Sequence, residues 1–127
     1  MAVYVSDLLR LKNFSETKLI AGRQGLGNHI SWPYVCVSFP ISPWIRGGEL
    51  LFVAVEHVEE TDLTNSVFWQ ECRDMQVAAV VALLKDGNED KLLREAGFMA
   101  DSAGIPLFVM PWDVSLVSVT QEVTYLI

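Results

Sequence analysis

Leu50-Leu51-Phe52-Val53-Ala54-Val55, Val77-Ala78-Ala79-Val80-Val81-Ala82-Leu83-Leu84 and Leu107-Phe108-Val109-Met110 are three apolar runs of strand length. Runs this short and this continuously apolar suit strands covered on both faces. Helical patterns lie between them. The first is capped by Thr61 or Thr64 and runs through Met75, with Phe68, Cys72 and Met75 at i, i+4 and i+7. The second is capped by Asn88 and runs to Ala103, with Leu92, Ala96, Met99 and Ala103 on one face and Gly104 as its stop. Strand, helix, strand, helix, strand over residues 50–110 predicts an α/β domain with parallel strands.

Toward the N-terminus, Ser6 ahead of Asp7-Leu8-Leu9-Arg10-Leu11 reads as the cap of a short helix. Lys18 to Ala21 is a short strand closed by Gly22, and Gly25-Leu26-Gly27-Asn28 is turn chemistry. Ile30, Trp32, Tyr34 and Cys36 then alternate with Ser31, Pro33 and Val35, a period-2 strand. Lys18–Ala21 and Ile30–Val37 are therefore expected to pair as an antiparallel hairpin. Pro33 donates no N–H, so its strand belongs at a sheet edge or at a bulge. Toward the C-terminus, Leu116, Val119, Val123 and Leu126 fall at helical spacing. The expected architecture is one three-layer-like α/β domain over residues 1–127, with a mostly parallel central sheet and an N-terminal β-hairpin. The chain ends on apolar Tyr125-Leu126-Ile127, read here as a point where a longer protein continues.

The composition bounds what such a domain does. The 127 residues are 51% hydrophobic and 20% charged, with a mean hydropathy of +0.31, which excludes intrinsic disorder. A chain this long buries roughly two-thirds of its unfolded surface, enough for a core without metal or disulfide. Net charge is −7 with pI near 4.6, so this stretch is not one that grips a phosphate backbone. Cys36 and Cys72 read as small buried hydrophobes in a reducing compartment. Neither a basic leader nor an apolar run of about 20 residues occurs, so a soluble, cytoplasmic protein without membrane contact is expected.

No phosphate-cradling GxGxxG or GxxxxGK[ST] and no GxSxG elbow is present, and His29 and His57 each stand alone. No catalytic residue, metal site or cofactor is assigned, and the chain is read as a non-enzyme. Glu56-His57-Val58-Glu59-Glu60 and Asp62 follow the first core strand, where parallel sheets form their ligand crevice. This acidic loop reads either as a site for a cation or positively polarised ligand, or as solvated acids favouring a helix N-terminus. The most unusual segment is Phe39-Pro40-Ile41-Ser42-Pro43-Trp44-Ile45-Arg46-Gly47-Gly48-Glu49. Trp44 offers a stacking face, Arg46 a donor fork, and Gly47-Gly48 a close backbone approach. Its plainer reading is a tight turn with Trp44 as a lid on the core and Arg46 paired to Glu49. Both readings stand at this point.

Val5-Ser6-Asp7-Leu8-Leu9, Leu19-Ile20-Ala21-Gly22 with Gly25-Leu26, Ile30-Ser31-Trp32 and Trp44-Ile45-Arg46-Gly47-Gly48-Glu49-Leu50-Leu51 occur in the order of one known pattern. Ala103-Gly104-Ile105-Pro106-Leu107 and Pro111-Trp112 extend it, so it covers residues 3 to about 125. The chain resembles the N-terminal domain of purine catabolism regulator (PucR)-type bacterial transcription factors and, more remotely, the N-terminal α/β domains of Mur ligases and HPr kinase. The resemblance implies an effector-sensing regulatory domain for catabolic genes, purine degradation among them. It also implies a C-terminal helix-turn-helix, absent from this chain, that makes the DNA contact. Trp44, Arg46, Gly47, Gly48 and Glu49 would be the signature turn and candidate ligand site. A small-molecule effector and a homodimer are the implied partners. The family's usual Thr-Thr-Gly after this strand is here Val53-Ala54-Val55-Glu56, and its usual acidic residue after Ser38 is Phe39. The alternative reading is a protein-interaction or dimerisation module without a ligand, using the Phe39–Trp44 loop and the apolar tail.

Overall fold

A computed structural model describes residues 2–36, 41, 43–55, 62–85 and 90–127. The three apolar runs are the centre of a five-stranded sheet. Its strands are β1 (Lys18–Ala21), β2 (Trp32–Val35), β3 (Glu49–Val55), β4 (Ala79–Leu84) and β5 (Leu107–Pro111), in the spatial order β1-β5-β4-β3-β2. β2, β3, β4 and β5 run parallel, and β1 joins β5 antiparallel. The helices are α1 (Ser66–Asp74), α2 (Asp90–Ala103) and α3 (Leu116–Leu126).

The double covering expected of the core strands is present. Leu51, Val53, Val80, Ala82, Leu84 and Leu107 point to one face, where Phe68, Trp69 and Cys72 of α1 and Ala96 and Ala100 of α2 bury them. Leu50, Phe52, Val81, Leu83, Phe108 and Met110 point to the other. There they meet Val119 and Val123 of α3, with Val5, Leu8 and Phe14 from two 3-10 turns (Val5–Arg10 and Lys12–Phe14). The result is three layers. α3 is pinned further by Glu122 Oε1, which accepts from the Asn13 backbone N–H and side-chain amide at 3.0 and 3.1 Å. Pro33 lies in β2, an edge strand, as its missing donor requires.

The N-terminal hairpin is not formed. β1 and β2 sit at opposite edges of the sheet, and the chain between them runs across the amino ends of β5, β4 and β3. Four strand spacings of about 4.8 Å make roughly 19 Å. Ten residues, 22–31, cover this with room for a 3-10 turn at Arg23–Gly25, since extended chain advances about 3.3 Å per residue. The glycines serve close approach rather than a local turn. A Cβ on Gly22 (φ +75°) would overlap the Ile105 carbonyl, and one on Gly25 would lie 2.5 Å from Gly104 O. Asp101 of α2 fastens the crossing, its Oδ1 accepting from Gly22 N–H at 2.6 Å.

Caps also differ from expectation. The first 3-10 turn is capped by Tyr4, whose N–H donates to Asp7 Oδ2 at 2.9 Å, and not by Ser6. That backbone hydrogen bond, with the Arg10 partner, holds the Asp7 carboxyl below its usual value. α1 starts from Asn65, whose Oδ1 accepts from Val67 N–H at 2.9 Å, and not from Thr64. Thr61, Asn88 and the Glu56–Glu60 stretch lie outside the described residues, as do residues 37–40 and 42 of the Phe39–Glu49 loop. Asp62 opens a 3-10 turn, Asp62–Thr64.

Both cysteines are free, Cys72 buried and Cys36 half-buried. Burial pushes the Cys36 thiol up to about 12, and Cys72 is shifted the same way by burial, then by neighbouring Cys36 and Glu71. Iodoacetamide at pH 9 is therefore expected to leave both thiols unlabelled in the folded protein and to label both in urea. The unfolded chain loses these protons first, so stability should fall as pH rises from 9 toward 12. Rapid labelling of the folded protein would contradict the packing described.

Candidate functional site

The crossing segment 22–31 makes the floor of a cleft of about 590 Å³ along the amino ends of the parallel strands. This is the opposite end from the carboxyl-end crevice expected for the acidic loop. Asn28, His29 and Ser31 come from the crossing, and Arg46-Gly47-Gly48 from the turn before β3. Arg73 and Gln76 come from the end of α1, and Ala103-Gly104-Ile105 from the end of α2. Cys72, Val77 and Ala78 form its apolar back.

Two helices end at this cleft by the same geometry. After α2, Gly104 adopts φ +72°, its N–H donates to Asp101 O (3.2 Å), and Ile105 N–H donates to Ala100 O (3.1 Å). After α1, Gln76 adopts φ +57°, its N–H donates to Arg73 O (3.1 Å), and Val77 N–H donates to Cys72 O (2.9 Å). Both are Schellman closures, which favour glycine at the left-handed residue. Gln76 is the one non-glycine residue at positive φ among the described residues.

The Trp44–Glu49 turn is a joint between strands. Glu49 is buried at 9% exposure, and its carboxylate accepts from the backbone N–H of Arg46 (Oε2, 2.8 Å) and of Gly47 (Oε1, 2.7 Å). Gly47 and Gly48 have φ +117° and +79°, and a Cβ on Gly48 would sit 2.9 Å from Ser31 Oγ. Ser31 donates from Oγ to Gly47 O (2.8 Å) and from N to Gly48 O (2.7 Å), which joins β2 to the turn. Gly48 N–H donates to Gln76 O (2.8 Å), and Ala78 N–H to Glu49 O (2.9 Å), which joins β4.

Of the five residues singled out in sequence, the cleft brings together Arg46, Gly47 and Gly48. Glu49 lies behind the turn, and Trp44 is 60% exposed outside the cleft, so it is no lid on the core. Arg46 does not pair with Glu49, whose carboxylate is taken by backbone amides. Arg73, Gln76, Asn28 and Ser31 carry no motif that marks them as neighbours of the turn. The available signal is weak: a helix of basic last turn that stops without a glycine. Among the described residues no group of His, Cys, Asp and Glu is arranged to hold a metal, and no helix is long and apolar enough to cross a membrane.

A family model described as purine catabolism regulatory protein-like matches residues 7–127. No curated protein matches the chain. Among solved structures, the chain is similar to the CBS and DRTGG domains of the regulatory region of Clostridium perfringens pyrophosphatase, complexed with its activator diadenosine tetraphosphate. The TM-score is 0.56 at 9% identity, over 94% of this chain and 48% of that one. The likeness is one of fold, and this chain spans about half the length of that neighbour. The architecture it shares with this chain is that of a CBS/DRTGG region.

Proposed function

The chain belongs to the purine catabolism regulatory protein-like family, and from that membership we propose that it is the effector-sensing regulatory domain of a transcription regulator of catabolic genes. The observation that carries the sensing role is the amino-edge cleft, whose wall includes Arg46-Gly47-Gly48 of the signature turn. Its volume falls within the roughly 300–1,000 Å³ of small-molecule sites. Its ionisable lining is two arginines, His29 and a thiol kept protonated by burial, a set suited to holding a ligand rather than to paired acid–base chemistry. The role proposed is binding rather than catalysis. The net charge of −7 supports the reading that DNA contact belongs to another part of the regulator. A regulatory region about half of which shares this fold was solved with a nucleotide activator, which is consistent with small-molecule control.

Sensing requires an effector to bind two arrangements of the domain unequally. Ile30 lies between His29 and Ser31 of the cleft and packs in the same buried cluster as Val119 and Val123 of α3. A shift in the crossing segment thereby reaches α3, the proposed transmitting element. Calorimetric titration with purine-pathway metabolites is expected to give saturable heat for at least one. No heat from any of them overturns the sensing role.

A second reading is favoured by the exposure of Trp44 (60%) and of Tyr125 (88%) on α3, large apolar groups in water. On that reading the domain is a dimerisation module. Sedimentation should then show a dimer that weakens in Trp44→Ala, and a monomer at all concentrations would end this reading.

A further inference from the structure

We infer that the amino-edge cleft is an oxyanion site, in which Arg46 and Arg73 hold a carboxylate or phosphate of a small molecule and the Gln76 carboxamide meets the polar edge beside it. This rests on the sensing role proposed above and specifies the chemistry of the molecule sensed.

Three observations carry it. First, in a chain with 9 basic and 16 acidic residues, the cleft lining holds two arginines and no carboxylate. Among the described residues neither guanidinium has an ion pair, and the one salt bridge is Arg10 with Asp7. Second, the opposing field is weaker. The carbonyl ends of α1 and α2 face the same cleft, each worth about half a negative charge, against two full positive charges. Several of those carbonyls are already taken: Arg73 O by Gln76 N–H, Ala100 O by Ile105 N–H, and Asp101 O by Gln24 Nε2 at 2.7 Å. The balance favours an anion. Third, Gln76 occupies a left-handed position that its counterpart on α2 fills with Gly104. A side chain there costs backbone strain, and strain of this kind gathers where a side chain has work to do. The Gln76 side chain is exposed and makes no hydrogen bond to any described residue, so both ends of its carboxamide are free for a ligand. Asn28 and Ser31, by contrast, each commit a side-chain donor, to Ala78 O and Gly47 O respectively.

The probes are inorganic phosphate and acetate, titrated separately at constant ionic strength and followed by amide NMR. Anions this small should bind with about millimolar affinity. The expected result is saturable shifts at Gly47, Gly48, Gln76 and Val77, with at least one of the two anions. The comparison between the two probes separates a phosphate site from a carboxylate site. In the Arg46→Ala/Arg73→Ala variant these shifts should vanish or need about tenfold more anion. Neither arginine side chain supports the fold through a described bond, so the variant's spectrum should otherwise be that of the native domain. Gln76→Gly should melt at a higher temperature yet bind the anion more weakly, a combination that a purely structural glutamine would not produce. Failure of both anions to saturate, equal titration of the double variant, or shifts mapping away from the cleft would each overturn the oxyanion site. If a metabolite binds the double variant as tightly as the native domain, this inference falls while the sensing role stands. If the anions bind and no metabolite does, the sensing role falls alone.

Discussion

Gly22→Ala is expected to cost at least about 4 kcal/mol, enough to leave a domain of ordinary stability largely unfolded. Two effects combine. A left-handed residue with a side chain costs about 1–2 kcal/mol. The greater part comes from the overlap of the new Cβ with the Ile105 carbonyl, while Pro106 Cα lies 2.7 Å away. These neighbours are backbone, and they lead into β5, which is bonded on both sides, so nothing nearby can give. Gly27→Ala is the matched control, because a Cβ there meets nothing within 4 Å. It should change stability by less than about 1 kcal/mol. Urea unfolding followed by circular dichroism reads both. A Gly22→Ala midpoint near the native one would mean that the crossing segment does not lie against Ile105-Pro106.

That glycine also shows why part of the fold could be read in the sequence and part could not. β3, β4 and β5 announced themselves because burial on both faces makes a strand continuously apolar, a local property. α3 showed itself through Val119 and Val123 despite its β-branched residues. Gly22 and Gly25 carry the same local signal as a hairpin turn. Their reason is instead a contact with residues 104–106, far along the chain, and composition does not encode a partner at that distance. Helix starts failed more mildly: Thr64 and Asn65 are both capping types, and only the backbone decides which accepts from Val67.

The signature turn was legible as an unusual segment but not as a joint. Arg46, Gly47 and Gly48 stand at the cleft, while Glu49 faces inward to the amides. Arg73 and Gln76 enter the site only because α1 ends beside β4. The acidic Glu56–Glu60 stretch drew attention to the carboxyl end of the sheet, following a rule that holds when helix N-termini present their amides there. Glu56–Glu60 lies outside the described residues; the amino-edge cleft lies at the other end, against helix C-termini, and there arginine side chains supply the positive charge.

Replacing Glu49 tests the joint directly. Glu49→Ala removes two charge-assisted hydrogen bonds from a buried carboxylate, each worth about 1.5–3 kcal/mol. Arg46 is exposed and Gly47 half-buried, so water recovers part of the loss at their amides. The expected net cost is about 3 kcal/mol, near the lower sum of those two bonds. For a domain of this size that lowers Tm by roughly 10 °C. Glu49→Gln keeps one acceptor but turns an NH2 toward the second amide donor, so about half the cost remains. The decisive readout is hydrogen exchange. Ser31, Gly48 and Ala78 donate respectively to Gly48 O, Gln76 O and Glu49 O, one set of bonds tying β2, α1 and β4 to the turn. If Glu49 holds that set together, all three amides should exchange faster in step in both variants. Faster exchange confined to Arg46 and Gly47 would make Glu49 a local cap, and the register of β2 on β3 would then need another cause.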